Sequence, residues 1–300
     1  MPTIRANGLD IAYAVEGAGP PLVLLHGASS SGDADFALQL PALRNAFRCY
    51  VPDARGHGGT RWDAADGFRY EWLVEDLRAF VDGVGLTTFH LLGFSMGGAT
   101  ALGFASRWPE RLRTLVLVGI SPERDPRAHV ARRLFDPARI EQHDPRWATE
   151  LSARHDPVQG TGAWRRLLPA IAADVATQAL HGPGELVRID CPALVMAGDA
   201  DPLCPVDQAW RLKRQLPDAR LFVAPGCGHE VLLRRPALAT EALAGFWRST
   251  QAVAERRAEI RPGITIARPG APAGTPRSSA RADAAAPPEP DTDWLKEASR

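Results

Sequence analysis

Ser95 stands in Gly93-Phe94-Ser95-Met96-Gly97-Gly98, after a short apolar run and before a stretch with helical spacing. This is G-x-S-x-G in a strand–turn–helix context, the setting in which a sharp turn lifts a serine hydroxyl above a sheet edge. The spacing has a steric cause, since glycines two residues to either side let neighbouring backbones approach. Glycine and serine are common in turns, so the pattern alone could be a plain glycine-rich turn; the flanking elements favour a nucleophile. A serine hydroxyl is weak at neutral pH and needs a base. Of eight histidines, His229 in Gly226-Cys227-Gly228-His229-Glu230 follows the last predicted strand and precedes the final helix, so its loop can reach the serine's edge of the sheet. His26 and His57 also lie on strand-end loops. The first immediately precedes Gly27, where a histidine more often orders a turn. The second lies within Asp53-Ala54-Arg55-Gly56-His57-Gly58, whose charges could brace one another. His90 falls within a strand, and the other four lie in or beside a helical insertion.

The base needs a carboxylate to orient it. Asp199 and Asp201 both follow a predicted strand, in Gly198-Asp199-Ala200-Asp201-Pro202. One is expected to accept from the imidazole and the other to be a turn aspartate. Glu123 and Asp125, after the fifth strand, are weaker substitutes. An acyl-transfer site also needs N–H donors for an oxyanion. His26-Gly27-Ala28-Ser29 follows an early buried strand, so the backbone N–H groups of Ala28 and Met96 are the candidates.

The elements that must position these residues can be read from hydrophobic rhythm. Strands are predicted at Leu9–Val15, Pro21–Leu25, Arg48–Val51, Phe89–Leu92 and Leu115–Val118, then at Ala193–Met196 and Arg220–Ala224. Between them, Trp72, Leu73, Leu77, Phe80, Val81 and Val84 recur at helical spacing over Tyr70–Val84. Further helices are predicted at Ala99–Arg107, Val206–Gln215 and from Pro236 onward. Strands alternating with helices indicate an α/β fold, a mainly parallel sheet flanked by helices. The rhythm stops over about 123–186, which is helix-like, broken by prolines, and carries nine arginines against nine carboxylates. A helical insertion of this kind reads as a lid over a pocket. Trp147, Trp164, Leu167 and Leu168 could line that pocket or form the insertion's own core.

The chain has 300 residues, with 35 basic and 35 acidic side chains. Residues 1–260 read as one catalytic domain. The last 40 residues, with seven prolines and nine alanines, lack the apolar surface to offset ordering entropy and are expected to be disordered. Neutrality holds in both parts, with 29 basic and 30 acidic groups through Ile260 and 6 and 5 beyond it. It argues against nucleic acid or an anionic membrane as partner, and suggests a small, mostly uncharged substrate. No run of about eighteen apolar residues could span a bilayer. Cys49, Cys191, Cys204 and Cys227 are widely spaced, without the paired spacing of a zinc or redox site. The expectation is a cytoplasmic protein with no metal and no cofactor.

These motifs carry a resemblance over residues 1 to about 255. His26-Gly27, Asp53-x-Arg55-Gly56-His57-Gly58, Gly93-x-Ser95-x-Gly97-Gly98, Gly198-x-x-Asp201-x-x-x-Pro205 and Gly228-His229 resemble, in order, those of the α/β-hydrolase superfamily, in its lidded esterase and 3-oxoadipate enol-lactonase-like branch. The chain order Ser95, Asp, His229 is also the order of that fold. The resemblance implies that the acid is Asp201, three residues after its glycine. It further implies a hydrolase of small-molecule esters or lactones that uses Ser95, Asp201 and His229, with the Ala28 and Met96 N–H groups holding the oxyanion. A serine at the nucleophile position fits poorly with branches that use aspartate there. Relatives that cleave carbon–carbon bonds often have asparagine before the serine, where this chain has Phe94. Carbon–carbon hydrolysis, lyase or acyltransferase chemistry on the same scaffold, and a non-catalytic binding protein, remain the alternatives.

Overall fold

The computed structural model describes residues 1–179 and 181–260. The Pro/Ala-rich segment 261–300, expected from composition to be disordered, lies outside the described residues.

Eight strands form one sheet: β1 (Thr3–Ala6), β2 (Leu9–Glu16), β3 (Pro21–Leu25), β4 (Arg48–Pro52), β5 (Phe89–Phe94), β6 (Leu112–Val118), β7 (Ala193–Gly198) and β8 (Ala219–Ala224). Their order is β1-β2-β4-β3-β5-β6-β7-β8. The first two join antiparallel, and β4, β3, β5, β6, β7 and β8 pair in parallel. The predicted strands all form. The one not foreseen is β1, which turns into β2 through Asn7 and Gly8, both at positive φ, with Ala6 paired to Leu9. Asn-Gly at such a two-residue turn is the sequence signal for this hairpin.

The helices are α1 (Gly32–Phe36), α2 (Leu40–Leu43), α3 (Tyr70–Gly83), α4 (Met96–Arg107), α5 (Arg127–Leu134), α6 (Pro137–His143), α7 (Pro145–Gln159), α8 (Trp164–Thr177), α9 (Pro183–Leu186), α10 (Val206–Gln215), α11 (Val231–Arg234) and α12 (Pro236–Ile260). The α4 helix starts at Met96, three residues before the predicted Ala99. Gly97 and Gly98 are poor helix formers, so the periodicity becomes readable only beyond them.

Parallel strands buried on both faces read as continuous apolar runs, and their alternation divides the core in two. Val23, Leu25, Leu91, Leu115, Leu117 and Val195 face a layer containing α3, α4 and α10. Leu22, Leu24, Leu92, Val116, Val118 and Met196 face one containing α1, α2, α11 and α12. The insertion between β6 and β7 has its own core, with Ile140, Leu151, Trp164, Leu167, Leu168 and Ile171 packed against Phe68 and Leu73. Register aligns Leu25 with Gly93 and Gly93 with Leu117. The loops that follow these strands therefore open on one edge of the sheet, where ligands bind in such folds.

A buried ion pair fastens this edge to α3. Arg55 Nε and Nη2 donate to Asp76 at 2.6 and 2.7 Å, and their side chains are 8% and 9% exposed. Asn7 Nδ2 adds a 2.6 Å bond to the same carboxylate. The charges of the loop thus do not brace one another as the sequence suggested: Asp53 instead accepts the N–H groups of Gly32 and Gly59. Removing one partner of a buried pair leaves the other charge uncompensated, so Arg55→Leu should lower stability by about 3 kcal/mol. Urea unfolding checks this, with Arg55→Leu/Asp76→Leu expected to recover most of the loss.

Candidate active site

The turn between β5 and α4 passes directly from strand to helix at Ser95. Ser95 has φ 52° and ψ −114°, a left-handed conformation that costs a non-glycine residue about 1–3 kcal/mol. Packing holds it there. A Cβ on Gly93 would lie 2.2 Å from Gly97 O, one on Gly97 2.2 Å from Leu25 O, and one on Gly98 2.3 Å from Ile120 Cγ2. Only hydrogen fits at these positions. The Ser95 N–H donates to Val118 O at 2.8 Å and Gly97 N–H to His26 O at 3.0 Å, which ties the turn to the ends of β6 and β3.

The three side chains proposed from sequence meet here. His229 Nε2 lies 2.8 Å from Ser95 Oγ, and His229 Nδ1 lies 2.8 Å from Asp201 Oδ2. A carboxylate accepts, so Nδ1–H donates to Asp201 and the bare Nε2 accepts a hydrogen bond from the Ser95 hydroxyl. Asp201 has a fully buried side chain, and its Oδ1 also accepts the N–H groups of Leu203 and Cys204 at 2.8 and 3.0 Å. The choice between Asp199 and Asp201 is thereby explained. Asp199 accepts the N–H groups of Gly226 and Cys227, both at 2.9 Å, and so joins the acid loop to the histidine loop. Those two bonds hold its carboxyl below the usual aspartate range. Glu123 pairs with Arg211 away from the histidine. The His229 ring packs on Phe94 at 5.2 Å between centroids, and Gly119 leaves it room: a Cβ there would be 2.9 Å from His229 Cε1. Cys227 is a buried free thiol, as are the other three cysteines, and burial raises its pKa.

Ala28 and Met96 line the same cavity as Ser95 and His229. Among the described residues, neither of their N–H groups has a protein acceptor, so both are available to a ligand oxygen. The Ala28 loop is heavily braced. Asp35, itself buried, accepts the Gly27 N–H at 2.7 Å and the Ser30 hydroxyl at 2.6 Å, and burial raises its pKa. His26 donates from Nδ1 to Gly27 O at 2.7 Å and accepts the Ala54 N–H on Nε2 at 2.9 Å. It is the loop-ordering residue expected from sequence. Ser29, at φ 63°, presents its carbonyl to the insertion, where Arg154 Nη1 and His155 Nε2 reach it at 2.7 and 3.3 Å.

The cavity, of about 580 Å³, is walled by Phe68, Tyr70, Leu73, Ala99, Arg127, Ala131, Phe135, Ile171, Asp174, Val175, Gln178 and Leu203 besides the residues above. Trp147, Trp164, Leu167 and Leu168 are not among them: the last three belong to the insertion's core, and Trp147, half-buried, packs against it. The lining comes instead from α5 and α8, through positions whose helical spacing marks a face but not which cavity it meets. Arg127 and Tyr70 carried no motif. Among the described residues no three His, Cys, Asp or Glu side chains group to hold a metal ion, and no helix is long and apolar enough to cross a membrane.

The chain matches a family model described as Alpha/beta hydrolase family over residues 22–243. It is 30% identical over 254 residues to a 2-hydroxy-6-oxononadienedioate/2-hydroxy-6-oxononatrienedioate hydrolase of Paraburkholderia phymatum, covering 74% of this chain and 85% of that one. It is 28% identical over 243 residues to a human serine hydrolase, covering 77% and 80%. Among solved structures, an esterase from Thermogutta terrifontis superposes with a TM-score of 0.67 at 25% identity, covering 83% of this chain and 97% of the other. An enol-lactonase from Burkholderia xenovorans gives 0.67 at 23%, covering 82% and 100%, a likeness of fold.

A histidine cluster links the insertion to this edge. His57 packs between His26 and His155 at centroid distances of 5.1 and 5.5 Å. His57 Nδ1–H donates to Arg55 O, and among the described residues its Nε2 has no partner. His155 accepts the Gly58 N–H on Nδ1 and uses Nε2–H toward Ser29 O. Burial pushes the His155 pKa down to about 4 and that of His57 well below its ordinary value, where neighbouring His26 and His155 add to the effect. The native state therefore holds these rings neutral while the unfolded chain protonates near the ordinary value of about 6.5. Their contribution to stability is complete above that value and lost as pH falls toward 4. Urea midpoints should accordingly drop across this window, and His155→Gln should make the drop shallower.

Proposed function

The chain belongs to the alpha/beta hydrolase family, and from that premise we propose that it hydrolyses a carboxylic ester or lactone of a small molecule through an acyl-enzyme on Ser95. The observation that carries this reading is the pair of 2.8 Å contacts that join Ser95 Oγ, His229 and Asp201 in one line. Ser95 attacks the carbonyl carbon while His229 Nε2 takes its proton. Asp201 stabilises the imidazolium through Nδ1–H. The Ala28 and Met96 N–H groups receive the oxyanion, and loss of one such donor raises the barrier by about 3 kcal/mol. The tetrahedral intermediate collapses as His229 protonates the leaving alcohol. Water then attacks the acyl-enzyme, giving its proton to His229, and a second collapse releases the acid and restores the serine. The insertion acts as the lid of this site, with α5 and α8 shaping the acyl side of the cavity.

Carbon–carbon bond hydrolysis is the second reading. It is supported by the relative from Paraburkholderia phymatum, whose name specifies a 2-hydroxy-6-oxo-dienedioate, a compound with a ketone and no ester. The same three residues would serve that reaction, while Phe94 departs from the asparagine common in such relatives.

Kinetics on p-nitrophenyl esters of graded acyl length, on enol-lactones and on vinylogous ketones separate the two readings. On the favoured class, Ser95→Ala should lower kcat/KM by about 10⁴-fold or more, and a fluorophosphonate probe should label wild type at Ser95 alone. Equal ester cleavage by wild type and Ser95→Ala would remove the serine mechanism.

A further inference from the structure

The cavity lined by Ser95 and His229 adjoins another. The second, about 330 Å³, lies beyond the first and shares Tyr70, Ala99, Arg127 and Gln178 with it. Arg127, the first residue of α5, thus stands where an acyl chain running away from Ser95 would pass from one to the other.

Its chemistry is unusual for that position. The Arg127 Nε is shut off from solvent and, among the described residues, has no hydrogen-bond partner. Among the described residues, no acidic side chain is paired with its guanidinium. Asp174 is the carboxylate whose field acts on it most, but Asp174 spends Oδ1 on the Tyr70 N–H at 3.0 Å, and burial raises its own pKa. Of the other polar side chains at the junction, Tyr70 is also committed: it donates its hydroxyl to Ala99 O at 2.9 Å and lies 3.0 Å from His181 Nε2. A guanidinium stays charged at any working pH. Arg127 is half-buried, and a charge partly withdrawn from water without an opposite partner is costly; a polar group left unsatisfied in this way calls for an explanation, of which a ligand is one.

We propose that Arg127 binds a carboxylate at the far end of the substrate's acyl part, so that the preferred esters or lactones are themselves acids. The planar fork of the guanidinium matches a carboxylate with two parallel N–H donors. The inference rests on Ser95 as the nucleophile, since that is what gives the cavity an acyl side. It replaces the uncharged substrate suggested by net charge, because one cation in the cavity wall selects an anion whatever the sum over the surface.

The test compares p-nitrophenyl hydrogen adipate with p-nitrophenyl pentanoate, which differ by the terminal carboxylate. Wild type should favour the adipate mono-ester in kcat/KM. Arg127→Met should reduce that ratio by about 30-fold, with Arg127→Lys between the two. A wild-type ratio at or below one overturns the proposal without need of any variant. So does a ratio that Arg127→Met leaves unmoved, which would mark Arg127 as purely structural. If wild type cleaves neither ester, the ester-hydrolase reading has failed, and Arg127 is judged by calorimetry of adipate on Ser95→Ala. Saturable binding lost in Ser95→Ala/Arg127→Met supports the carboxylate site; no binding overturns it.

Discussion

Ser95 keeps a left-handed backbone because three glycines leave no room for it to relax. The Cβ positions of Gly93, Gly97 and Gly98 are occupied by Gly97 O, Leu25 O and Ile120 Cγ2. The turn is therefore clamped between the ends of β3, β5 and β6, and its hydroxyl direction follows from sheet geometry. Much of the surrounding structure answers to that fixed point. The register of β3 with β5 places the Ala28 loop beside it, and β7 and β8 bring Asp201 and His229 to the same edge.

Positioning by strands alone leaves loops loose, and here each loop is tied to its neighbour by a specific polar contact. Asp199 joins the acid loop to the histidine loop, Asp35 pins Gly27, and the Arg55–Asp76 pair anchors the loop after β4. The insertion enters the same network through Arg154 and His155 on Ser29 O. Charged and buried groups away from Ser95 thus act on where the backbone N–H groups of the Ala28 loop point. Orientation of this kind is where preorganised sites gain most of their electrostatic advantage.

How much of this could be read from the sequence depended on the type of constraint. Steric rules with few solutions were legible: the glycines around Ser95, the apolar parallel strands, and the histidine after the last strand. Asp199 and Asp201 were not separable from their residue types, because both sit in the same turn and only the direction of each carboxylate distinguishes them. The walls of the cavity were less accessible still. Trp164, Leu167 and Leu168 could by residue type line the pocket or form the insertion's core, and they close the insertion on itself, while Ile171 and Val175, about one and two turns further along, line the cavity that holds Ser95. Arg127 was invisible as one of nine arginines in a charge-balanced stretch, since its significance lies in having no acidic partner among the described residues.

The central claim is covalent: the carbonyl carbon of the substrate becomes bonded to Ser95 Oγ before water is used. Rapid acid quenching during turnover of an activated ester, followed by intact-protein and peptide mass spectrometry, observes that bond directly. The mechanism predicts a transient mass gain equal to the acyl group, located on the peptide containing Ser95 and decaying as the acid is released. Steady turnover with slow deacylation established by a product burst, but no acyl mass on that peptide, would contradict it.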